Sequence, residues 1–192
     1  AACLFAATFR QGGAWFDLGR VDSLFLCLLL AGAVALKRVA SPWLGGLAGG
    51  ALFALSALTK QSALFVAAPI AVALLATDRR RGAAFATALP ALFGACVLAL
   101  DRQSGGWFRF YVFELPKDHP VIGQLLRGFW TQDLLGPMAI ALVIGLAHGF
   151  VAPARPRVKS LALDAALFIG LVLTGYATRI RVGSYINVAI PA

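Results

Sequence analysis

The sequence predicts an all-α protein: a polytopic transmembrane helix bundle of about six to seven spans, with an interfacial aromatic helix on the outer face. Of 192 residues, 60% are hydrophobic and 13% are charged, against roughly 45–50% and 25% in soluble domains. Apolar runs close to the roughly 20 residues needed to cross a bilayer alternate with short polar turns. The runs lack the alternation of strands, so helices are expected to satisfy the backbone hydrogen bonds in lipid.

The elements follow in order along the chain. A partial apolar run at residues 1–9 is too short to cross a bilayer, and full spans are predicted at residues 15–36, 43–58, 62–77, 83–100, 134–151 and 161–178. Ser41 and Pro42 predict a helix start, with the serine as cap and the proline in the first turn. The small residues four apart in the span that follows predict close packing of a helix pair in lipid; they are Gly45, Gly46, Gly49 and Gly50.

We expect residues 1–192 to form a single transmembrane domain that is a fragment of a longer chain. The sequence opens at Ala1 within an apolar run, and its last residues, INVAIPA, resemble the start of another element. Part of the functional machinery is therefore expected to lie outside these residues.

The cysteines and histidines predict neither a disulfide nor a metal site. The cysteines lie in apolar surroundings without C-x-x-C spacing, and the two histidines are far apart in the sequence; these residues are Cys3, Cys27, Cys96, His119 and His148. We therefore expect no metal and no cofactor.

Three basic turns predict the topology. An even number of predicted spans separates each turn from the next, so all three are expected on one side, which we assign to the cytoplasm. The turns carry Lys37-Arg38, Arg79-Arg80-Arg81, and Arg155, Arg157 and Lys159. The net charge of +9 is attributed to this anchoring and to an outer cationic site, and not to nucleic-acid binding, because no basic groove module is visible.

Charged residues at the outer ends of spans predict an anion site. Lys60 lies in a short turn between two apolar runs; it is either a lysine that extends to the membrane surface or a phosphate ligand. Arg179 and Arg181 precede an apolar restart, where arginines and exposed backbone amides suit an anion. Arg20 and Asp22 are two residues apart and do not face each other on a helix, so each needs a partner elsewhere in the bundle or in a polar cavity. We expect them to be structural or acceptor-side polar residues.

The segment WFRFYVF predicts an aromatic element at the outer surface. It is either an interfacial helix alone or a helix that also covers a cavity, with Trp107, Phe108 and Tyr111 as lining residues. Glu114 and Asp118 are candidates for acid/base chemistry, or else solvated loop carboxylates.

Three stretches, RVDSLFL, ALTKQSALFVAAP and GSYINVAIPA, resemble bacterial members of the GT-C glycosyltransferase superfamily. The protein O-mannosyltransferase and lipid A aminoarabinose transferase types are the most similar. The resemblance implies an integral enzyme of the bacterial inner membrane that moves a hexosyl or pentosyl group from a polyprenyl-phosphate donor to an acceptor on the extracytoplasmic side.

The resemblance also implies roles for two residues. A Thr-Lys-Gly segment of the family supplies a lysine near the donor phosphate; here the segment is Thr59-Lys60-Gln61, so the lysine is present and the glycine is not. The family's acidic residue at an outer span start corresponds to Asp22. Its principal catalytic aspartate lies in the first outer loop, which is expected upstream of Ala1, so the fragment alone is expected to be inactive and the catalytic residue is unassigned.

The rival prediction is a secondary transporter for an organic anion, because Gly- and Pro-interrupted spans are typical of that class. Gly45 to Gly50, Pro69 and Pro90 supply such interruptions. A transporter is expected to place its charges near the membrane midplane, whereas these charges are predicted at span ends. A non-catalytic scaffold would leave Asp22 and Lys60 unexplained.

Overall fold

The computed structural model describes residues 21–118, 120–151 and 158–181. They are mostly helical, with short turns between the helices, and within these ranges the extended structure is limited to an isolated antiparallel bridge between Val121 and Arg181. The helices are α1 (Val21–Arg38), α2 (Pro42–Thr59), α3 (Ala63–Thr77), α4 (Arg79–Gln103), α5 (Trp107–Arg109), α6 (Gly123–Gly128), α7 (Gly136–Val151) and α8 (Val158–Arg179). The all-α prediction is confirmed for this part of the chain.

The core lies where α2 meets α1 and α4, and where α3 meets α8 and α4. Phe53 of α2 and Phe85 of α4 are fully buried, and their rings meet edge to face with centroids 5.4 Å apart. Phe25 of α1 and Val66 of α3 belong to the same buried cluster. The bundle thus closes around aromatic and aliphatic side chains contributed by every long helix except α7.

Glycines allow α2 to approach its neighbours closely, as the sequence predicted. A Cβ atom at Gly46 would lie 2.5 Å from the carbonyl oxygen of Arg81, and one at Gly50 would lie 2.9 Å from the Cβ of Ala88. On the other side of the helix, a Cβ at Gly49 would lie 2.6 Å from the side chain of Leu36. The absence of side chains therefore lets α1 and α4 both approach the backbone of α2.

Contacts at one end confirm that the basic turns lie together. Arg81 donates hydrogen bonds to the carbonyls of Leu36 and Val39, which close α1. Lys37 pairs with Asp164 in the second turn of α8. The start of α8, which carries Lys159, is therefore at the same end as the other two turns; Arg155 and Arg157 lie outside the described residues.

The number of spans is smaller than predicted. Within the described ranges, three helices are long and apolar enough to cross a membrane: α2, α4, and residues 160–179 of α8. α3 has 15 residues, which at 1.5 Å per residue gives about 22 Å, short of a hydrocarbon core of about 30 Å. α7 has 16 residues and falls short in the same way. The 18 residues of α1 include three charged ones, at Asp22, Lys37 and Arg38.

Sequence analysis overestimated the number of spans because an apolar run and the helix that it contains differ in length. The predicted run 134–151 begins as a π-helical turn, Phe129–Leu135, before α7 starts. The described part of the run 15–36 begins at Val21. The three helices indicate a membrane protein, and the prediction of six to seven spans exceeds what these residues contain.

Helix starts agree with the local sequence, whereas the predicted proline interruptions do not occur. Ser41 caps α2 by accepting a hydrogen bond from the amide of Leu44, and Pro42 occupies the first turn. Pro69 and Pro90 lie inside α3 and α4, both of which continue past the proline. The prolines therefore do not divide these helices.

The aromatic segment is less regular than the interfacial helix predicted. Gly105 and Gly106 adopt φ values of 61° and 92°, which favour glycine, and end α4. The single turn α5 passes into a π-helical turn, Phe110–Glu114, and a 3-10 turn, Leu115–Asp118.

Candidate functional site

Asp22 and Lys60 form an ion pair between the start of α1 and the turn that joins α2 to α3. The Lys60 Nζ lies 2.5 Å from the Asp22 Oδ1, and the two side chains are 23% and 24% exposed. The prediction that Asp22 is partly buried and has a polar partner is confirmed. Arg20, for which the same was predicted, lies outside the described residues.

The position of the lysine follows from the helix that precedes it. The Lys60 amide donates to the carbonyl of Ser56, which ends α2. The Ser56 hydroxyl donates to the carbonyl of Phe25 in α1 at 2.9 Å. The Lys60 Nζ also lies 5.7 Å from the centroid of the Phe25 ring, within the range of a cation–π contact. The α1–α2 contact thus holds the ammonium group beside both an anion and an aromatic face.

A second ion pair joins the end of α8 to the segment before α7. The Arg179 Nε donates to the Asp133 Oδ2 at 2.8 Å, and the side chains are 18% and 9% exposed. Phe129, Trp130 and Tyr176 form an aromatic cluster near this pair, with centroids 5.3–5.5 Å apart. Because a buried carboxylate without a partner is costly, Asp133 favours the position of α8 in which Arg179 reaches it.

The two pairs lie at the same end of the bundle, which we call the site end. The Thr174 hydroxyl of α8 donates to the carbonyl of Ser62, two residues after Lys60, at 3.1 Å. Since Arg179 follows Thr174 by little more than a turn, Lys60 and Arg179 emerge on the same side, as predicted.

Arg181 and Gln61 attach the aromatic segment to the site end. The Arg181 Nη1 donates to the carbonyl of Pro116 at 2.7 Å, and its side chain is exposed. The Gln61 amide donates to the carbonyl of Val112. Lys60, Arg181 and the aromatic segment, each predicted at the outer surface, thus lie at the same end of the bundle.

The exposed rings of the aromatic segment pack on one another. Trp107 and Tyr111 are 59% and 58% exposed, and their rings stack with centroids 5.7 Å apart. Phe110 joins them, and Phe108 is half-buried. This arrangement is typical of aromatic side chains at a membrane–water interface. That Trp107, Phe108 and Tyr111 line a cavity stays a prediction.

Carboxylates already neutralise two of the three predicted phosphate-binding cations. Lys60 has Asp22 and Arg179 has Asp133, whereas Arg181 has a carbonyl as its partner among the described residues. The charge repulsion expected between the cations is therefore relieved within the protein. A phosphate would bind to donors that remain on Lys60 and on Arg181.

Sequence reasoning missed Asp133, Gln61 and Ser62. Asp133 closes the long polar region immediately before an apolar run, the same position that singled out Asp22, and that signal was available. The roles of Gln61 and Ser62 depend on tertiary contacts that no local pattern reveals. Glu114 pairs with Lys117 at 3.0 Å on the exposed surface, which favours the solvated-carboxylate alternative for this residue.

In the described part of the chain, no group of three or more His, Cys, Asp or Glu could hold a metal ion. Comparisons with family models, with curated proteins and with solved structures give no match.

Proposed function

We propose that this chain is part of a GT-C type membrane glycosyltransferase, which moves a sugar from a polyprenyl-phosphate donor to an acceptor on the extracytoplasmic side of a bacterial inner membrane. One observation carries the proposal. Lys60, Arg179 and Arg181 lie at the site end, where Gln61 and Arg181 also hold the segment that follows the exposed rings of Trp107 and Tyr111. A lipid carrying a phosphate needs both features, cations for its headgroup and an interfacial surface beside its chain.

Lys60 supplies the charge that the leaving phosphate needs. An ammonium group has three N–H donors, and Asp22 accepts from one of them. The others remain for phosphate oxygens. When the bond between the sugar carbon and the phosphate oxygen breaks, negative charge grows on the phosphate, and a fixed ammonium stabilises it. Asp22 holds that ammonium in place, and Arg181 is the second cation available to the phosphate.

The acceptor hydroxyl must lose a proton to a base. The resemblance implies that an aspartate of the family's first outer loop takes this role. Asp22 and Asp133 are both engaged in ion pairs with cations, so neither is assigned that role.

The placement of charge supports the enzyme over a transporter. A secondary transporter binds its substrate near the midplane between broken helices. Here Pro69 and Pro90 lie in helices that continue past them. Asp22 and Lys60 lie at helix ends. Neither broken helices nor charges at the midplane therefore support a transporter.

The test is donor binding by the full-length protein carrying Lys60→Ala, with a labelled polyprenyl-phosphate sugar as ligand. Loss of a hydrogen bond to a charged group, about 1.5–3 kcal/mol, predicts a Kd raised by roughly 10- to 150-fold. Lys117→Ala is the matched control, because Lys117 is exposed and paired with Glu114 on the nearby surface. It is expected to bind the donor normally.

Asp22→Asn separates a ligand role for Lys60 from a purely structural one. It retains the ammonium group and offers it an amide oxygen in place of the carboxylate, so a phosphate-binding lysine keeps most of its affinity for the donor in this variant. If Lys60→Ala binds the donor as tightly as the unchanged protein, the assignment is wrong and Lys60 serves the ion pair alone.

A further inference from the structure

Ser62, two residues after the predicted phosphate lysine, has a buried hydroxyl group that no described residue partners. Ser62 is 5% exposed, and its Oγ atom makes no hydrogen bond within the described part of the chain. A buried polar group that lacks a partner costs free energy, and native structures rarely leave one without a reason. The hydroxyl therefore calls for an explanation in terms of packing or of a ligand.

The serine occupies a position where a hydroxyl ordinarily caps a helix, but it does not do so. Ser62 precedes α3 and makes no side-chain cap. The first amides of α3 use backbone carbonyls instead: Ala63 donates to Lys60, Leu64 to Gln61 and Phe65 to Ser62, at 3.0–3.1 Å. Backbone carbonyls thus take the place of the serine side chain in capping α3, and the hydroxyl group keeps its O–H donor.

The surroundings of Ser62 favour an anion. The N-terminus of a helix carries a partial positive charge, and α3, with 15 residues, is long enough to develop it. Lys60 precedes Ser62 by two residues in the same turn, which the backbone bond from Ala63 to Lys60 closes. A hydroxyl donor and an ammonium group at the positive end of a helix dipole together match the needs of a phosphate oxygen.

We propose that Ser62 is a second ligand of the donor phosphate, with its hydroxyl donating to a phosphate oxygen that Lys60 also binds. This inference rests on the proposed function, since it places the same phosphate at the same turn. Contacts on either side enclose the turn: Thr174 bonds to the Ser62 carbonyl, and Gln61 bonds to Val112 of the aromatic segment. Phosphate binding therefore requires one of these two contacts to shift. The contact between Gln61 and Val112 is the more accessible one, because both of its residues are half-buried, whereas Thr174 and Ser62 are buried.

The experiment compares Ser62→Ala with Ser62→Thr in the full-length protein, with farnesyl phosphate and inorganic phosphate as separate probes. If the hydroxyl is a ligand, Ser62→Ala weakens farnesyl phosphate binding by about 10-fold or more, and Ser62→Thr keeps most of it. A loss with both probes identifies the phosphate group as the ligand; a loss with farnesyl phosphate alone identifies a lipid-borne phosphate. Ser41→Ala, which removes a cap at the opposite end, controls for general destabilisation.

Melting temperatures measured without ligand give an independent reading. Removal of an orphan hydroxyl that has no ligand should raise the melting temperature and leave phosphate binding unchanged, and that combination overturns the proposal. If Lys60→Ala loses binding while Ser62→Ala does not, Ser62 is excluded and the proposed function stands. If neither variant changes binding, both fail.

Discussion

The glycine face of α2 offers the sharpest test of the fold. In Gly46→Ala, the added methyl group would lie 2.5 Å from the carbonyl oxygen of Arg81 and 2.6 Å from the Cβ of Ala84. One of these contacts is with backbone and the other with the first atom of a side chain, so no rotamer change relieves them. α2 and α4 must move apart.

The magnitude follows from two opposing terms. Overpacking a close contact costs about 1–3 kcal/mol, whereas replacing a helical glycine by alanine gains about 0.5–1 kcal/mol. The expected net loss is therefore about 1 kcal/mol, within a range of about 0–2.5 kcal/mol. Gly94 provides the matched control, because it also lies within a long helix and a Cβ there meets nothing within 4 Å. Gly94→Ala should gain the stability of a helical alanine without the cost of overpacking.

The assay is thermal unfolding of the purified protein in detergent, followed by loss of the monodisperse peak in size-exclusion chromatography. Gly46→Ala should unfold at a lower temperature than the unchanged protein, and Gly94→Ala at the same or a higher one. Equal melting temperatures for the two variants would show that α2 and α4 do not approach as closely as described, and would refute the reasoning.

Two further outcomes are expected. Arg81→Ala should lower the free energy of unfolding by about 1–3 kcal/mol, because the carbonyls of Leu36 and Val39 lose their donor. Arg80→Ala removes an exposed side chain and should change the free energy of unfolding little. Similar losses in the two variants would contradict the role given to Arg81. In a variant that keeps Trp107 as its one tryptophan, lipids brominated near the headgroup should quench fluorescence more strongly than lipids brominated near the chain terminus, and the reverse order would place the aromatic segment away from the interface.

The sequence predicted features that depend on local chemistry. The Ser41 cap, the glycine contacts of α2 and the grouping of the basic turns all follow from short patterns and from counting spans. The pairing of Asp22 followed from a general rule, that a charge near a span end needs a partner. Its identity did not, because Lys60 lies 38 positions away and only the α1–α2 contact brings the two together.

Element lengths and surface irregularity were harder to predict. Hydropathy does not indicate where a helix yields to a π-helical turn, as at Phe129–Leu135. The same holds for the aromatic segment, whose composition suggests one helix but whose backbone changes type within a few residues. Ser62 could not be predicted for a different reason. Its position suits a helix cap, and only the backbone hydrogen bonds of the folded chain show that its hydroxyl does not serve as one.

The Asp22–Lys60 pair has a consequence for how the chain enters a membrane. α1 begins with the carboxylate and α2 ends with the ammonium, and a short turn joins the helices at the opposite end. Each charge would oppose the passage of its own helix through hydrocarbon if that helix moved alone. As a hairpin, the two helices carry the charges side by side, and the Coulomb attraction between them offsets part of the cost of leaving water. The ion pair thus favours the assembly of α1 and α2 as one hairpin.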